Sequence, residues 1–108
     1  MPFHNPQDRA YIDMLPGVRA RTFWGENMLL SLVDLEAEAV IPGHRHPHEQ
    51  CSYILSGEME FTLEGETRTV KPGEVVVIPG NAEHSVKVGP APVRVLDIFS
   101  PAREDLKY

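Results

Sequence analysis

No stretch of this chain keeps the 3.6-residue apolar period of a surface helix. Short runs of alternating apolar and polar residues recur instead, with turn residues between them. Eight glycines and ten prolines are spread along 108 residues, so few segments are long enough to form a helix. Short strands at this spacing are typical of a β-sandwich or barrel. We therefore expect an all-β fold with little helix.

The alternating runs predict eight strands and three turns. The strands are expected at residues 18–24, 28–37, 51–55, 58–64, 66–70, 74–79, 84–88 and 93–99. The Glu-Gly pair in "LEGET" predicts a tight hairpin with Gly65 at positive φ. The segments "KPGE" and "PGN" have turn composition, and the tail "SPAREDLKY" predicts one helical turn.

Size and charge limit the classes of function. A length of 108 residues predicts one domain covering residues 1–108. The formal charge of -6 and the lack of a Lys/Arg cluster argue against nucleic acid or an anionic membrane as a partner. No secretory signal or bilayer-spanning segment is recognisable. Cys51 is the only cysteine, so we expect no intrachain disulfide and a cytoplasmic location.

Three of the five histidines lie within "GHRHPHEQ". On a strand, His44 and His46 would share one face. Burying two imidazoles without a partner is costly, and a shared metal ion removes that cost because each neutral ring donates a lone pair. Alternation alone would continue the row to His48 and Gln50, but Pro47 interrupts the ladder. Geometry therefore does not choose between those two residues.

The stretches "GHRHPHEQCSYILSGEMEF" and "GEVVVIPGNAEH" resemble the two sequence motifs of the cupin superfamily. Its members are small antiparallel β-barrels of jelly-roll type, and the resemblance places the core barrel at about residues 28–99. In the first motif the matching residues are His44, His46, Gln50 and Gly57. In the second they are Gly73, Pro79, Gly80 and His84.

This resemblance implies a centre for one divalent transition metal ion, with Ni, Zn, Fe and Mn all open. Its ligands would be His44, His46, Gln50 and His84. Gln50 stands where many members carry Glu, and Glu49 comes one residue too early to replace it. We expect His48 to lie outside the ligand set, beside the site or exposed.

A neutral ligand set leaves a divalent ion its full +2 charge, whereas Glu in place of Gln50 would leave +1. One unit of charge at roughly 4 Å and an effective dielectric of about 20 changes the attraction for an anion by about 4 kcal/mol gross. We therefore expect anionic substrates, despite the negative charge of the whole chain.

The last predicted strand, "VRVLDIF", places Val93, Val95, Asp97 and Phe99 on one face. If the valines line the barrel, Asp97 lies among apolar neighbours, which raises its pKa and suits it to proton transfer. Arg103 follows closely enough to fold back over the barrel mouth, where a guanidinium can grip a carboxylate.

Together with His-x-His-x-x-x-Gln, the tail pattern D-x-F-S-P-x-R resembles the small cupins of pectin and alginate breakdown. Those enzymes convert 4,5-unsaturated uronate monosaccharides to the linear 5-keto-4-deoxyuronate. The resemblance implies a small anionic sugar substrate and catalytic roles for Asp97, Phe99 and Arg103. Structural alternatives are a salt-bridged Asp97, a core Phe99 and a surface Arg103.

Other readings stay open. One is an Fe or Ni dioxygenase resembling the quercetinase-type cupins, and another is a non-catalytic cupin that binds a small sugar or acid. Cupins of this size are commonly homodimers, and residues 11–24 have the apolar content for a strand that crosses to a partner. Trp24 and Tyr53 are expected in the core rather than in a pocket wall, and Cys51 as a small buried hydrophobe.

Overall fold

A computed structural model describes residues 2–108, and antiparallel β-strands make up most of that range. This confirms the all-β class that the alternating pattern predicts. The ten strands are β1 (Ile12–Leu15), β2 (Val18–Trp24), β3 (Leu29–Leu35), β4 (Val40–His44), β5 (Glu49–Ser56), β6 (Met59–Leu63), β7 (Glu66–Val70), β8 (Val75–Ile78), β9 (His84–Val88) and β10 (Val93–Ser100).

All eight expected strands are present, and the structure has two further strands that the sequence pattern did not predict. β1 has only four residues, which is too short for a clear alternation. β4 contains Pro42 and Gly43, which are typical of turns rather than strands. The expected helical turn of the tail is a short 3-10 segment, Glu104–Leu106, and a second one covers Pro6–Asp8. No helix within residues 2–108 is long and apolar enough to cross a membrane.

The strands form two sheets that face each other across one core, as in a jelly roll. The larger sheet has the order β1-β2-β3-β10-β5-β8, and the smaller has the order β4-β9-β6-β7. Alternation along β10 turns Val93, Val95 and Phe99 inward, and Asp97 shares that face. The central strand of the larger sheet therefore carries a carboxyl group into the barrel.

The C-terminal tail closes one end of the barrel. Ala102 and Leu106 pack with Leu29 and Phe99 in a small apolar cluster separate from the main core. The Thr22 hydroxyl, itself fully buried, donates a hydrogen bond of 2.6 Å to the Leu106 carbonyl. These contacts fix the segment that contains the predicted Arg103.

The predicted core positions of Trp24 and Tyr53 are wrong, because both side chains are exposed. Trp24 is the last residue of β2, and the Arg9 guanidinium lies 5.4 Å from the centroid of the Trp24 ring. Tyr53 points outward because its neighbours along β5 point inward, and the same alternation leaves Cys51 half-buried on the outer face.

Candidate metal centre

Three histidines meet at one end of the barrel. His44 ends β4 and is paired in register with His84, the first residue of β9. His46 lies in the loop after β4, and one ring nitrogen from each of the three lies within 4.8 Å of the others. The Asn81 amide holds this loop by a 2.7 Å hydrogen bond to the His46 carbonyl.

Each ring is oriented by a hydrogen bond from Nδ1 to a backbone carbonyl. The pairs are His44 with Pro42 at 3.0 Å, His46 with His48 at 3.0 Å, and His84 with Ala82 at 2.9 Å. A carbonyl oxygen only accepts, so Nδ1 must carry the proton of each neutral ring. The Nε2 lone pairs are then free to bind a metal, which is the arrangement typical of histidine ligands.

Two features at these Nε2 atoms fit a shared cation. His84 Nε2 is buried and has no hydrogen-bond partner among residues 2–108. His46 Nε2 lies 3.0 Å from Gln50 Oε1, and both atoms are acceptors once Nδ1 of His46 is the donor. Two ligand atoms that each lie about 2.1 Å from one ion, with a right angle between their bonds to it, are about 3.0 Å apart. The distance between His46 Nε2 and Gln50 Oε1 has this value.

Ser52 connects the Gln50 amide to Asp97. Gln50 Nε2 donates to the Ser52 hydroxyl at 3.0 Å, and that hydroxyl donates to Asp97 Oδ1 at 2.6 Å. Ser52 has a single O–H, which it donates to the Asp97 carboxylate. The Ser52 oxygen can therefore only accept from Gln50, so the Gln50 atom next to it must be the amide nitrogen. This order turns Gln50 Oε1 toward the histidines.

Burial shifts the pKa values of the ionisable groups in this region. It raises the pKa of Asp97 to about 6, although hydrogen bonds from Ser52 and Gln50 and the charge of Arg103 act to lower it. Burial also lowers the pKa of His46 and of His84, which favours the neutral rings that a metal requires.

A cavity of about 380 Å³ extends from the histidines into the barrel. Its polar lining includes His44, His84, Gln50 and Asp97, and the rest of the lining is mostly apolar. This apolar wall includes Ile41, Met59, Phe61, Val86 and Val95. Volume and lining are those of a site for a small organic molecule.

Arg103 lies at the cavity and is largely buried. Its guanidinium stands 4.9 Å from the centroid of the Phe99 ring, and that ring meets the edge of His46 at 5.6 Å. Asp105 accepts from Arg103 Nη2 at 2.8 Å and from Nε at 3.3 Å. A carboxylate is therefore already bound where the sequence predicts that Arg103 binds one.

The structure brings all seven predicted site residues to one region. Six of them line the cavity, and the seventh, His46, belongs to the histidine trio. His48 lies outside the trio; its carbonyl accepts from His46, and its ring lies beside the His46 ring, with the two centroids 5.6 Å apart. Sequence reasoning missed Ser52 and Asp105. Ser52 could have been found, because it stands two residues after Gln50 and shares its face.

Comparisons with known proteins show which family this chain resembles in sequence and fold. A sequence profile of the cupin domain family matches residues 31–99. The pectin degradation protein KdgF of Dickeya dadantii (strain 3937) is 30% identical over 83 residues, which are 76% of either chain. The structure of KdgF from Halomonas sp. superimposes with a TM-score of 0.92 at 28% identity and covers 99% of both chains.

A third relative is the dimethylsulfoniopropionate lyase DddQ of Ruegeria pomeroyi. It is 32% identical over 78 residues, which are 71% of this chain and 39% of that longer protein.

Proposed function

The chain belongs to the cupin family, and from that premise we propose that it is a metal-dependent enzyme of unsaturated-uronate metabolism. The reaction converts a 4,5-unsaturated uronate monosaccharide to the linear 5-keto-4-deoxyuronate. One observation carries the proposal above all: a neutral ligand set, a carboxyl with a raised pKa and an arginine converge on one cavity. Similarity to KdgF, a pectin degradation protein, supports the substrate class.

The ligands that would hold the ion are the Nε2 atoms of His44, His46 and His84 with Oε1 of Gln50. The ion supplies Lewis acidity to substrate oxygens. The chain's own residues fix the direction of those ligand atoms through carbonyls and through Ser52. Because no ligand is charged, the region stays attractive to a carboxylate substrate.

Asp97 is the proposed proton-transfer group. A pKa of about 6 keeps both of its protonation states accessible near neutral pH. In the proposed reaction a proton reaches C4 of the substrate, and the oxygen of a water molecule adds to C5. The added water gives one proton back to the Asp97 carboxylate. The bond between C5 and the ring oxygen then breaks: the C5 hydroxyl becomes the ketone, and its proton moves to the ring oxygen, which leaves as a hydroxyl on C1.

Arg103 and Phe99 would position the substrate. The guanidinium binds Asp105 in a two-point contact, and a substrate carboxylate offers the same pair of oxygens in exchange. Phe99 is buried beside His46, so its ring forms a rigid wall for the sugar. Holding the reacting carbons close to Asp97 is the main contribution of these two residues.

The test follows the ultraviolet absorbance of the conjugated double bond in metal-loaded protein. We expect the wild type to remove the substrate faster than its spontaneous decay, and Asp97→Asn to be slower by roughly 10²–10⁴-fold. Asp34→Asn is the control, because Asp34 binds Tyr11 and Arg94 outside the cavity. Equal rates for wild type and Asp97→Asn would remove Asp97 from the mechanism. No decay above the spontaneous rate would remove the substrate assignment.

A second candidate function is favoured by the apolar wall of the cavity. Met59, Phe61 and Ile41 offer no hydrogen bonds to sugar hydroxyls, whereas they suit a flat aromatic molecule. A dioxygenase acting on a flavonol-like substrate would use this wall. Oxygen consumption with a flavonol, in protein loaded with Fe or Ni, separates this function from uronate opening.

A further inference from the structure

One ion pair lies at the cavity beside the candidate metal centre. Arg103 donates to both carboxylate oxygens of Asp105, from Nη2 at 2.8 Å and from Nε at 3.3 Å. Both residues line the same cavity as His44, Gln50 and His84. The guanidinium at this cavity is therefore bound to an acid of the same chain.

The surroundings hold the Arg103 side chain in place. Only 17% of it is exposed, and its guanidinium lies 4.9 Å from the centroid of the Phe99 ring. Burial has the largest influence on the pKa values of Asp97, His46 and His84, and the charge of Arg103 also acts on all three. The guanidinium is thus a fixed part of the site rather than a free surface charge.

The Asp105 side chain, in contrast, is 61% exposed. The backbone next to it is anchored, because Leu106 is buried in the small apolar cluster and its carbonyl accepts from the Thr22 hydroxyl at 2.6 Å. Exposed side chains change rotamer within nanoseconds. Asp105 can therefore release Arg103 by rotation of its own side chain, without movement of the tail.

The pair is charged at neutral pH and only moderately stable. Burial acts to raise the pKa of Asp105, but the hydrogen bond and the charge of Arg103 outweigh this effect and lower that pKa. Water screens an exposed ion pair and makes it weak, whereas a two-point contact with a guanidinium makes it stronger. A second carboxylate that offers the same two oxygens can therefore compete with Asp105.

From these contacts we propose that Asp105 is a specificity-determining residue, an internal competitor that occupies Arg103 until the carboxylate of a ligand replaces it. A ligand carboxylate restores both hydrogen bonds that the exchange breaks. A neutral sugar restores no ion pair, so Asp105 stays in place and Arg103 is closed to that sugar. The inference rests on the proposed role of Arg103 as the carboxylate anchor, but not on the chemical step.

The test is titration calorimetry of Zn²⁺-loaded protein with D-galacturonate and with galactose, its neutral counterpart. Galacturonate has no C4=C5 double bond, so binding is measured without turnover. The apparent affinity of a ligand is reduced by the fraction of protein that is competent to bind it. We expect Asp105→Asn to lower the dissociation constant for galacturonate by about 3–10-fold, and to bind galactose no better than the wild type does.

Glu104→Gln is the matched control. It makes the same change of charge on the neighbouring residue, but Glu104 binds Lys107 at 3.0 Å and lies outside the cavity lining. This variant should bind galacturonate as the wild type does. In an Arg103→Gln background, Asp105→Asn should have no effect, because the competitor acts only through the guanidinium.

Galacturonate binding by Asp105→Asn that is unchanged or weaker would overturn the proposal, and weaker binding would show that Asp105 orients Arg103 for the ligand instead. An equal gain in Glu104→Gln, or an undiminished gain in the Arg103→Gln background, would also overturn it by tracing the effect to net charge. Lack of galacturonate binding in every variant would remove the carboxylate anchor itself. The ultraviolet assay with the unsaturated substrate would still test the proposed reaction separately.

Discussion

At the residue scale, Ser52 decides which atom of Gln50 faces the histidines. An amide side chain can present either its oxygen or its nitrogen, and only the oxygen can bind a metal ion. The Ser52 hydroxyl accepts from the nitrogen and donates to Asp97, so the orientation follows from a buried network. One small hydroxyl thus links the candidate metal centre to the candidate proton-transfer group.

We predict that Ser52→Ala weakens metal binding by roughly 10–100-fold, the usual effect of losing a residue that orients a ligand. Titration calorimetry with Ni²⁺ or Zn²⁺ measures the dissociation constant directly. Ser52→Thr retains the hydroxyl and should recover most of the affinity. Ser31→Ala is the control, because Ser31 is equally buried on β3, on the other side of β10 from Ser52, and its hydroxyl has no hydrogen-bond partner within residues 2–108. An unchanged dissociation constant in Ser52→Ala would contradict the role given to the network.

At the element scale, glycines in two tight turns let neighbouring backbone segments of the barrel come close to each other. Gly57, between β5 and β6, has a φ of +78°, and a Cβ there would lie 2.4 Å from the Pro92 carbonyl oxygen. Gly80 has an ordinary φ, but its Cβ would lie 2.5 Å from the Pro47 carbonyl. One glycine position of each motif, Gly57 in the first and Gly80 in the second, therefore marks a close backbone contact.

Gly57→Ala should destabilise the protein far more than Gly65→Ala does. Both residues have positive φ, +78° and +81°, but nothing lies within 4 Å of a Cβ at Gly65. The left-handed conformation alone costs an alanine roughly 1–2 kcal/mol. Gly57→Ala adds a clash with backbone atoms, so we expect a loss of several kcal/mol. Urea unfolding measures the free energies, and similar losses at the two positions would refute the steric argument.

At the scale of the whole molecule, the candidate metal centre joins parts of the chain that are distant in sequence. β4 and its following loop provide two histidines, β5 provides Gln50, and β9 provides the third histidine. An ion bound to all of them would connect both sheets. Because unfolding separates these ligands, metal binding and folding should be coupled.

Metal should therefore raise the melting temperature. At a concentration of 100 times its dissociation constant, a ligand that binds only the folded state stabilises by about 2.7 kcal/mol, which corresponds to roughly 10–20 °C for a domain of this size. Differential scanning calorimetry with and without Zn²⁺ checks this value. His84→Ala should abolish most of the shift and His4→Ala should leave it unchanged, because His4 lies against Phe23 outside the trio. An equal shift in both variants would place the bound metal elsewhere.

The positions of eight of the ten described strands and the facing of Asp97 and Phe99 were determined by the sequence alone, because alternation and turn chemistry depend on residues close together in the chain. The family motifs added Gln50 and His84, which alternation by itself did not select.

Only the tertiary structure decided the rest. β4 was hidden by Pro42 and Gly43, and its strand geometry depends on pairing with β9. Asp105 beside Arg103 and the exposure of Tyr53 depend on how the tail and the sheets pack. Pairing between strands and packing between sheets involve residues far apart in the chain, so the local sequence pattern does not predict them.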